Sequence, residues 1–135
     1  MKIANLVKLT GASAAAFFTF TVAAPAQTPG LVLLDGLKKG AWVLKPRGST
    51  EESERVCLGD PKKLLQIKHS GASCSRYVIE DGPQNLRVSY KCGGLGHGVT
   101  TIRGESSGLV QIQSQGIENN APFSLSVEAR HVGSC

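Results

Sequence analysis

Two stretches of this chain alternate apolar and polar residues with a period of two, and nothing else in the sequence narrows the fold as much. In "NLRVSYKC", Leu86, Val88, Tyr90 and Cys92 fall on one face, and Arg87, Ser89 and Lys91 on the other. In "FSLSVEARHV", Phe123, Leu125, Val127, Ala129 and His131 oppose Ser124, Ser126, Glu128 and Arg130. Antiparallel strands with one packed face and one wet face carry this signature. "SRYVIED", with Tyr77 and Ile79 sharing a face, "GVTTIRGE" and "GLVQIQSQG" extend the β-rich region between Gly, Ser and Asn turn clusters. Upstream, "AWVLK" predicts a strand stopped by Pro46, "RVCL" a second strand, and "RGSTEESE" the polar loop between them.

Helical signals are short. One fits Leu31 to Lys38, ended by Gly40. Another fits residues 60–67, with Asp60 as N-cap, Pro61 at the first helical position and Leu64, Leu65 and Ile67 on its apolar side. No long helical pattern separates the strands. The expected fold is therefore all-β: an antiparallel meander curled into a small barrel or half-barrel, which protects the sheet edges. A two-sheet sandwich is the nearest rival.

The first residues read as an export signal. Lys2 and Lys8 are followed by an uncharged run from Leu9 to Ala24, and Ala24-Pro25-Ala26 places small residues where a signal peptidase reads. The run is short and diluted by Thr, Ser and Gly, whereas a spanning helix needs about 20 mainly apolar residues. The expectation is a signal peptide over residues 1–26, cleaved after Ala26. Residues 27–135 would then form a single disulfide-stabilised β domain in the periplasm, not spanning the membrane.

All four cysteines, Cys57, Cys74, Cys92 and Cys135, follow that segment, and an even number in an exported chain predicts two disulfides. Four cysteines allow three pairings. We favour Cys57–Cys74, which brackets the short helix, with Cys92–Cys135, which ties down the last residue. Each closure stabilises a fold by about 3–4 kcal/mol in the chain-entropy account. There is no Cys-x-x-Cys pair for redox chemistry and no paired Cys/His spacing for zinc.

Without Lys2 and Lys8 the chain has 13 basic and 10 acidic side chains, a formal charge of +3. That balance and the few aromatics argue against nucleic acid as a partner. Catalytic patterns are absent: the serines of "SGAS", "ESSG" and "QSQG" lack a nucleophile elbow, and the Gly cluster opens a strand where a phosphate loop would open a helix. We expect no enzyme, no cofactor and no metal. His97, in "YKCGGLGHGVTTI", stands at a glycine-rich tip whose glycines a strand-to-strand turn already explains. His69 follows the short helix and His131 falls on the inward parity of the last strand, and no spacing forces the three to converge.

"LDGLKKGAW", "RVCLGDPKKLLQIKHSGASCSRYVIED", "VSYKCGGLGHGVTTIRGE" and "IQSQGIENNAPFSLSVEARHVGSC" together resemble a family of small exported bacterial four-cysteine proteins classed as domain of unknown function 3617. The resemblance spans nearly all of residues 27–135. Its most specific parts are the early Trp, the Cys-Leu pair, two further cysteines and the terminal Gly-x-Cys. It implies a periplasmic all-β protein and no particular activity. "VSYKCGG" is also similar, at Tyr90 and Cys92, to the Tyr-x-Cys strand of periplasmic inhibitors of C-type lysozyme; that family's later Ser-containing loop has no counterpart here.

Two functions follow as expectations. The first is a non-enzymatic protein binding a small apolar ligand or envelope component inside a curled sheet lined by Trp42, Tyr77, Ile79, Val88, Tyr90, Phe123 and Leu125. The second is a protein–protein module working through a loop or sheet edge. His97, Trp42, Tyr77 and Tyr90 are the candidate binding residues. A hollow apolar interior would favour the ligand, and a filled core with an exposed apolar edge would favour the partner.

Overall fold

Each β-rich segment of the sequence becomes a strand of one antiparallel sheet. In the computed structural model, which describes residues 30–135, the strands are β1 (Gly40–Pro46), β2 (Glu54–Leu58), β3 (Ser75–Asp81), β4 (Asn85–Lys91), β5 (Gly96–Ser106), β6 (Leu109–Glu118) and β7 (Ala121–Gly133). The expected signal segment and its cleavage point lie outside the described residues. The seven strands run in the order β2-β1-β7-β6-β5-β4-β3. From β3 to β7 the chain is a meander. β1 docks on β7, and β2 is added outside β1.

The expected barrel does not close: β2 and β3 are separate edges of an open sheet. The physical reason lies in what covers the apolar face. The 3-10 helix Pro61–His69, between β2 and β3 in sequence, packs against β5 and β6, and α1 (Val32–Asp35) packs beside it. Leu33, Leu34, Leu64 and Leu65 from these segments meet Trp42, Leu86, Val88, Ile102, Val110 and Ile112 of the sheet in one core. Burying each such side chain contributes roughly 1.5–3 kcal/mol. With that face covered, the sheet has no need to curl onto itself.

Both helical segments begin where polar side chains satisfy their free N–H groups. The Lys62 N–H donates to Asp60 Oδ1 at 2.9 Å, as the N-cap reading of Asp60 requires. The segment runs two residues past the expected 60–67, kinking at Gln66, whose buried amide donates to the His69 and Ala72 carbonyls. α1 is shorter than the expected 31–38, a single turn. The Val32 N–H donates to the Asp81 carboxylate at 3.0 Å, so the end of β3 anchors the start of α1.

Two further expectations are corrected. The disulfides are Cys57–Cys135 and Cys74–Cys92, and the favoured pairs Cys57–Cys74 and Cys92–Cys135 do not form. Sheet order decides this. Ser75 pairs with Lys91 across the β3–β4 hairpin, which leaves Cys74 facing Cys92. Ala41 of β1 pairs with Cys57 on one side and Gly133 on the other, so the tail after β7 reaches Cys57 across β1. Two disulfides are compatible with an extracellular or periplasmic protein.

The second correction concerns β3. Tyr77 and Ile79 do not line the interior: they are 73% and 49% exposed, and all seven residues of the strand are exposed. Tyr77 pairs with Ser89, which belongs to the polar face of β4, and a bulge between Val78 and Glu80 breaks the two-residue period through Ile79.

Candidate functional site

The four candidate binding residues do not form one site. Trp42 has no exposed surface; its indole N–H donates to the Lys38 carbonyl at 2.9 Å and its ring stands edge-on to His131. Tyr90 is buried below the 3-10 helix, Tyr77 is at the β3 edge, and His97 is an exposed residue of β5 paired with Lys91 and Ile117. Among the described residues, no group of three or more His, Cys, Asp or Glu side chains could hold a metal ion. His131 is a rim residue whose Nε2 donates to the Lys39 carbonyl at 3.1 Å.

The histidine with a developed environment is His69, which the sequence suggested was a loop residue. It closes the 3-10 helix and is buried, edge-on to Tyr90 and Phe123. Its Nδ1 lies 3.0 Å from the Tyr90 hydroxyl and its Nε2 lies 3.3 Å from the Leu95 carbonyl. One arrangement satisfies both: Nε2–H donates to the carbonyl, and Nδ1 accepts from the hydroxyl. Burial pushes the Tyr90 hydroxyl above its ordinary pKa, partly offset by Ser114, so the phenol stays a donor. The sequence carried no local signal for this, because the contacts that bury His69 come from Tyr90 and Phe123, distant in the chain.

This cluster also explains the glycine-rich tip. Gly96 sits at φ 133°, which side-chain-bearing residues rarely adopt. A Cβ at Gly98 would come within 2.7 Å of the Tyr90 hydroxyl oxygen and 2.8 Å of Cζ. The glycines let β5 pass over the Tyr90 ring, and His97 is carried between them, its side chain making no hydrogen bond or ion pair among the described residues. Gly98→Ala should therefore cost about 1–3 kcal/mol as an over-packing change. Urea unfolding measures this, and an unmoved midpoint would refute the close-approach account.

Two surfaces remain open. The first is the β3 edge, where Tyr77, Val78 and Ile79 are consecutive, apolar and exposed, beside backbone groups that no strand among the described residues pairs with. The opposite edge, β2, is two residues shorter and its Cys57 is bonded to Cys135; both edges carry charged side chains, Glu54 and Arg55 on β2 and Arg76, Glu80 and Asp81 at the two ends of β3.

The second is the sheet face turned away from the core. Strand register places Arg87, Thr101, Gln113 and Ser126 in one line across β4 to β7, and the Arg47 N–H bonds the Ser126 carbonyl at the end of that line. A flanking line runs Arg103, Gln111, Glu128. Two adjoining depressions of about 530 and 480 Å³ lie over these rows and share Arg47, Thr101, Gln113 and Ser126. Glu128 is engaged by Gln111, Arg47 and Arg130, and those contacts, Gln111 first, hold its carboxyl below the usual range. Glu105 is paired with Arg103 at 2.9 Å. Among the described residues Arg87 makes no ion pair. The polar parity of these residues was visible in the sequence; their alignment needed the register of four strands.

A third feature is a cleft of about 490 Å³ at one end of the molecule, where Leu44, Ile67, Phe123, Leu125 and Val127 meet the loop carrying Glu51 and Glu52. Among the described residues no helix is long and apolar enough to cross a membrane. No family model matches the chain, and no curated protein or solved structure matches it.

Proposed function

We propose that this is a non-enzymatic periplasmic protein that works as a protein–protein module, receiving an extended segment of an envelope protein along β3. One observation carries the reading: an open edge strand whose seven residues are all exposed, with Tyr77, Val78 and Ile79 in succession, beside a core that is already filled. Edge strands are normally shortened, charged or covered, because their free N–H and C=O groups template pairing with another chain. An added strand would satisfy those groups, and the exposed apolar side chains would supply contact area on both faces. The resemblance to the domain-of-unknown-function 3617 proteins belongs to the same proposal, since Trp42, the four cysteines and the "GHG" tip serve this scaffold and leave the edge free to act.

The test is photocrosslinking in the periplasm with benzoylphenylalanine in place of Tyr77 or Ile79, and in place of Ser49 as a control on an exposed loop. A discrete adduct at the two edge positions, absent at position 49, is the expected result. The further change Val78→Lys should abolish it, because a charge on the edge opposes strand addition. Equal labelling at all three positions, or none at the edge, would remove the reading. An adduct of twice the chain mass would identify a second copy as the partner.

A small apolar ligand is a second reading, supported by the cleft among Leu44, Ile67, Phe123 and Leu125. Its size falls in the usual range of ligand pockets, roughly 300–1,000 Å³. Native mass spectrometry of the protein taken from its own periplasm separates the two: extra mass lost on denaturation favours the ligand.

A further inference from the structure

We propose that the polar face of the sheet is a binding site for a carboxylate-bearing oligosaccharide, laid over β5, β6 and β7. An antiparallel sheet commonly turns one face to water, so a polar face alone points nowhere. This one has three further properties.

The first is shape. The two depressions adjoin through shared residues and lie over consecutive rows of the register, giving an elongated shallow trough. That fits a short linear polymer better than a compact ligand.

The second is the chemistry of the floor. The central strand β6 presents Gln111, Gln113 and Gln115 from its polar positions, flanked by Thr101, Ser124 and Ser126. Amides and hydroxyls both donate and accept, and sugar hydroxyls do the same. A protein partner of ordinary kind would favour an apolar centre, and single-stranded nucleic acid would favour aromatic platforms. The trough offers neither, its apolar lining being Val99 and Leu125.

The third is charge. Arg87 and Arg47 flank the Thr101, Gln113 and Ser126 stretch of one row, which continues past Arg87 to Glu80 of β3, and Arg103 lies on the next. Glu128 and Glu105 are already held by Arg47, Arg130 and Arg103. Among the described residues Arg87 makes no ion pair, although Glu80 of β3 is its cross-strand neighbour, and its guanidinium borders the trough with a planar donor fork that matches a carboxylate. The carboxylates of such a glycan come either from uronic acid units or from lactyl ethers on amino sugars. The chemistry recognised is the same in both: an anionic group on a hydroxyl-rich chain.

The test is titration of the purified protein by NMR and calorimetry with four probes: a galacturonate hexamer, a lactyl-bearing amino-sugar tetramer, a neutral cellohexaose and a glutamate hexapeptide. Either acidic glycan should bind, with shift changes confined to Arg87, Thr101, Gln111, Gln113, Gln115 and Ser126, and which one binds names the source. Cellohexaose and the peptide should bind at least tenfold more weakly. Arg87→Ala should weaken the acidic glycan about tenfold or more, and Gln113→Ala should weaken it severalfold. Both side chains are exposed, so the variants keep the fold, which an unchanged thermal midpoint checks. Failure of both acidic glycans to bind at millimolar concentration would overturn the proposal. So would a glutamate peptide binding as well as the glycans, since the face would then be only a diffuse cationic patch. Indifference of binding to Arg87→Ala or to shifts at β6 would also overturn it. The β3 crosslink is independent of every one of these results.

Discussion

Trp42→Ala is expected to destabilise the protein by about 3–5 kcal/mol, the range for deleting a large buried aromatic. The ring is fully enclosed among core residues contributed by the sheet and the two helical segments, and its N–H is committed to the Lys38 carbonyl at 2.9 Å. Trp42→Phe keeps part of the ring but leaves that carbonyl without its donor, and should cost less, about 1–3 kcal/mol. Trp42 is the only tryptophan, so unfolding is best followed by circular dichroism in urea. A near-native midpoint for Trp42→Ala would refute its place in the core. The contrast matters for function. A residue counted among binding candidates from the sequence is placed by the structure where only stability can register its loss.

Removing the Cys57–Cys135 bridge is the second large effect. Its ends are 78 residues apart, and closing a loop of that length corresponds to about 4.5 kcal/mol in the chain-entropy account. Cys57 and Cys135 are both exposed, so the double change Cys57→Ala/Cys135→Ala opens no cavity, and the loss arises mainly in the unfolded chain. Cys74–Cys92 spans 18 residues, corresponding to about 3 kcal/mol, and Cys92 is buried, so its removal adds a packing loss. Urea midpoints of the two double variants measure these effects. Non-reducing digestion tests the pairing itself. Linked peptides joining residue 57 to 135 and 74 to 92 are expected, and peptides joining 57 to 74 would refute the topology at the β2 edge.

The two proposed surfaces are separate. β3 lies at one edge of the sheet and the trough spans its middle strands, so a protein segment and a glycan could be held at once. The β2 edge is not equivalent. It is shorter, lacks a run of three exposed apolar side chains like Tyr77, Val78 and Ile79, and is bonded through Cys57 to Cys135.

Strand content, the short helix at Asp60-Pro61, the presence of two disulfides and the polar parity of β4 and β7 were legible in the sequence. They rest on local physics: a two-residue period, a capping side chain, an imino acid at the first helical turn. Where the sequence was misleading, the deciding contacts were distant ones. Tyr77 and Ile79 look inward in "SRYVIED", but a bulge and an edge position turn them to solvent. Cys57 looks close to Cys74, but β1 carries the chain end to it instead. His69 looks like a loop residue, yet the fold buries it against Tyr90, and that contact gives the glycines of the tip their purpose. Sheet closure, disulfide pairing and the row from Arg87 to Arg47 depend on strand order and register, which are set by how the helices cover the apolar face. Side-chain period tells each strand which face to bury; only the packed sheet decides which strands become neighbours.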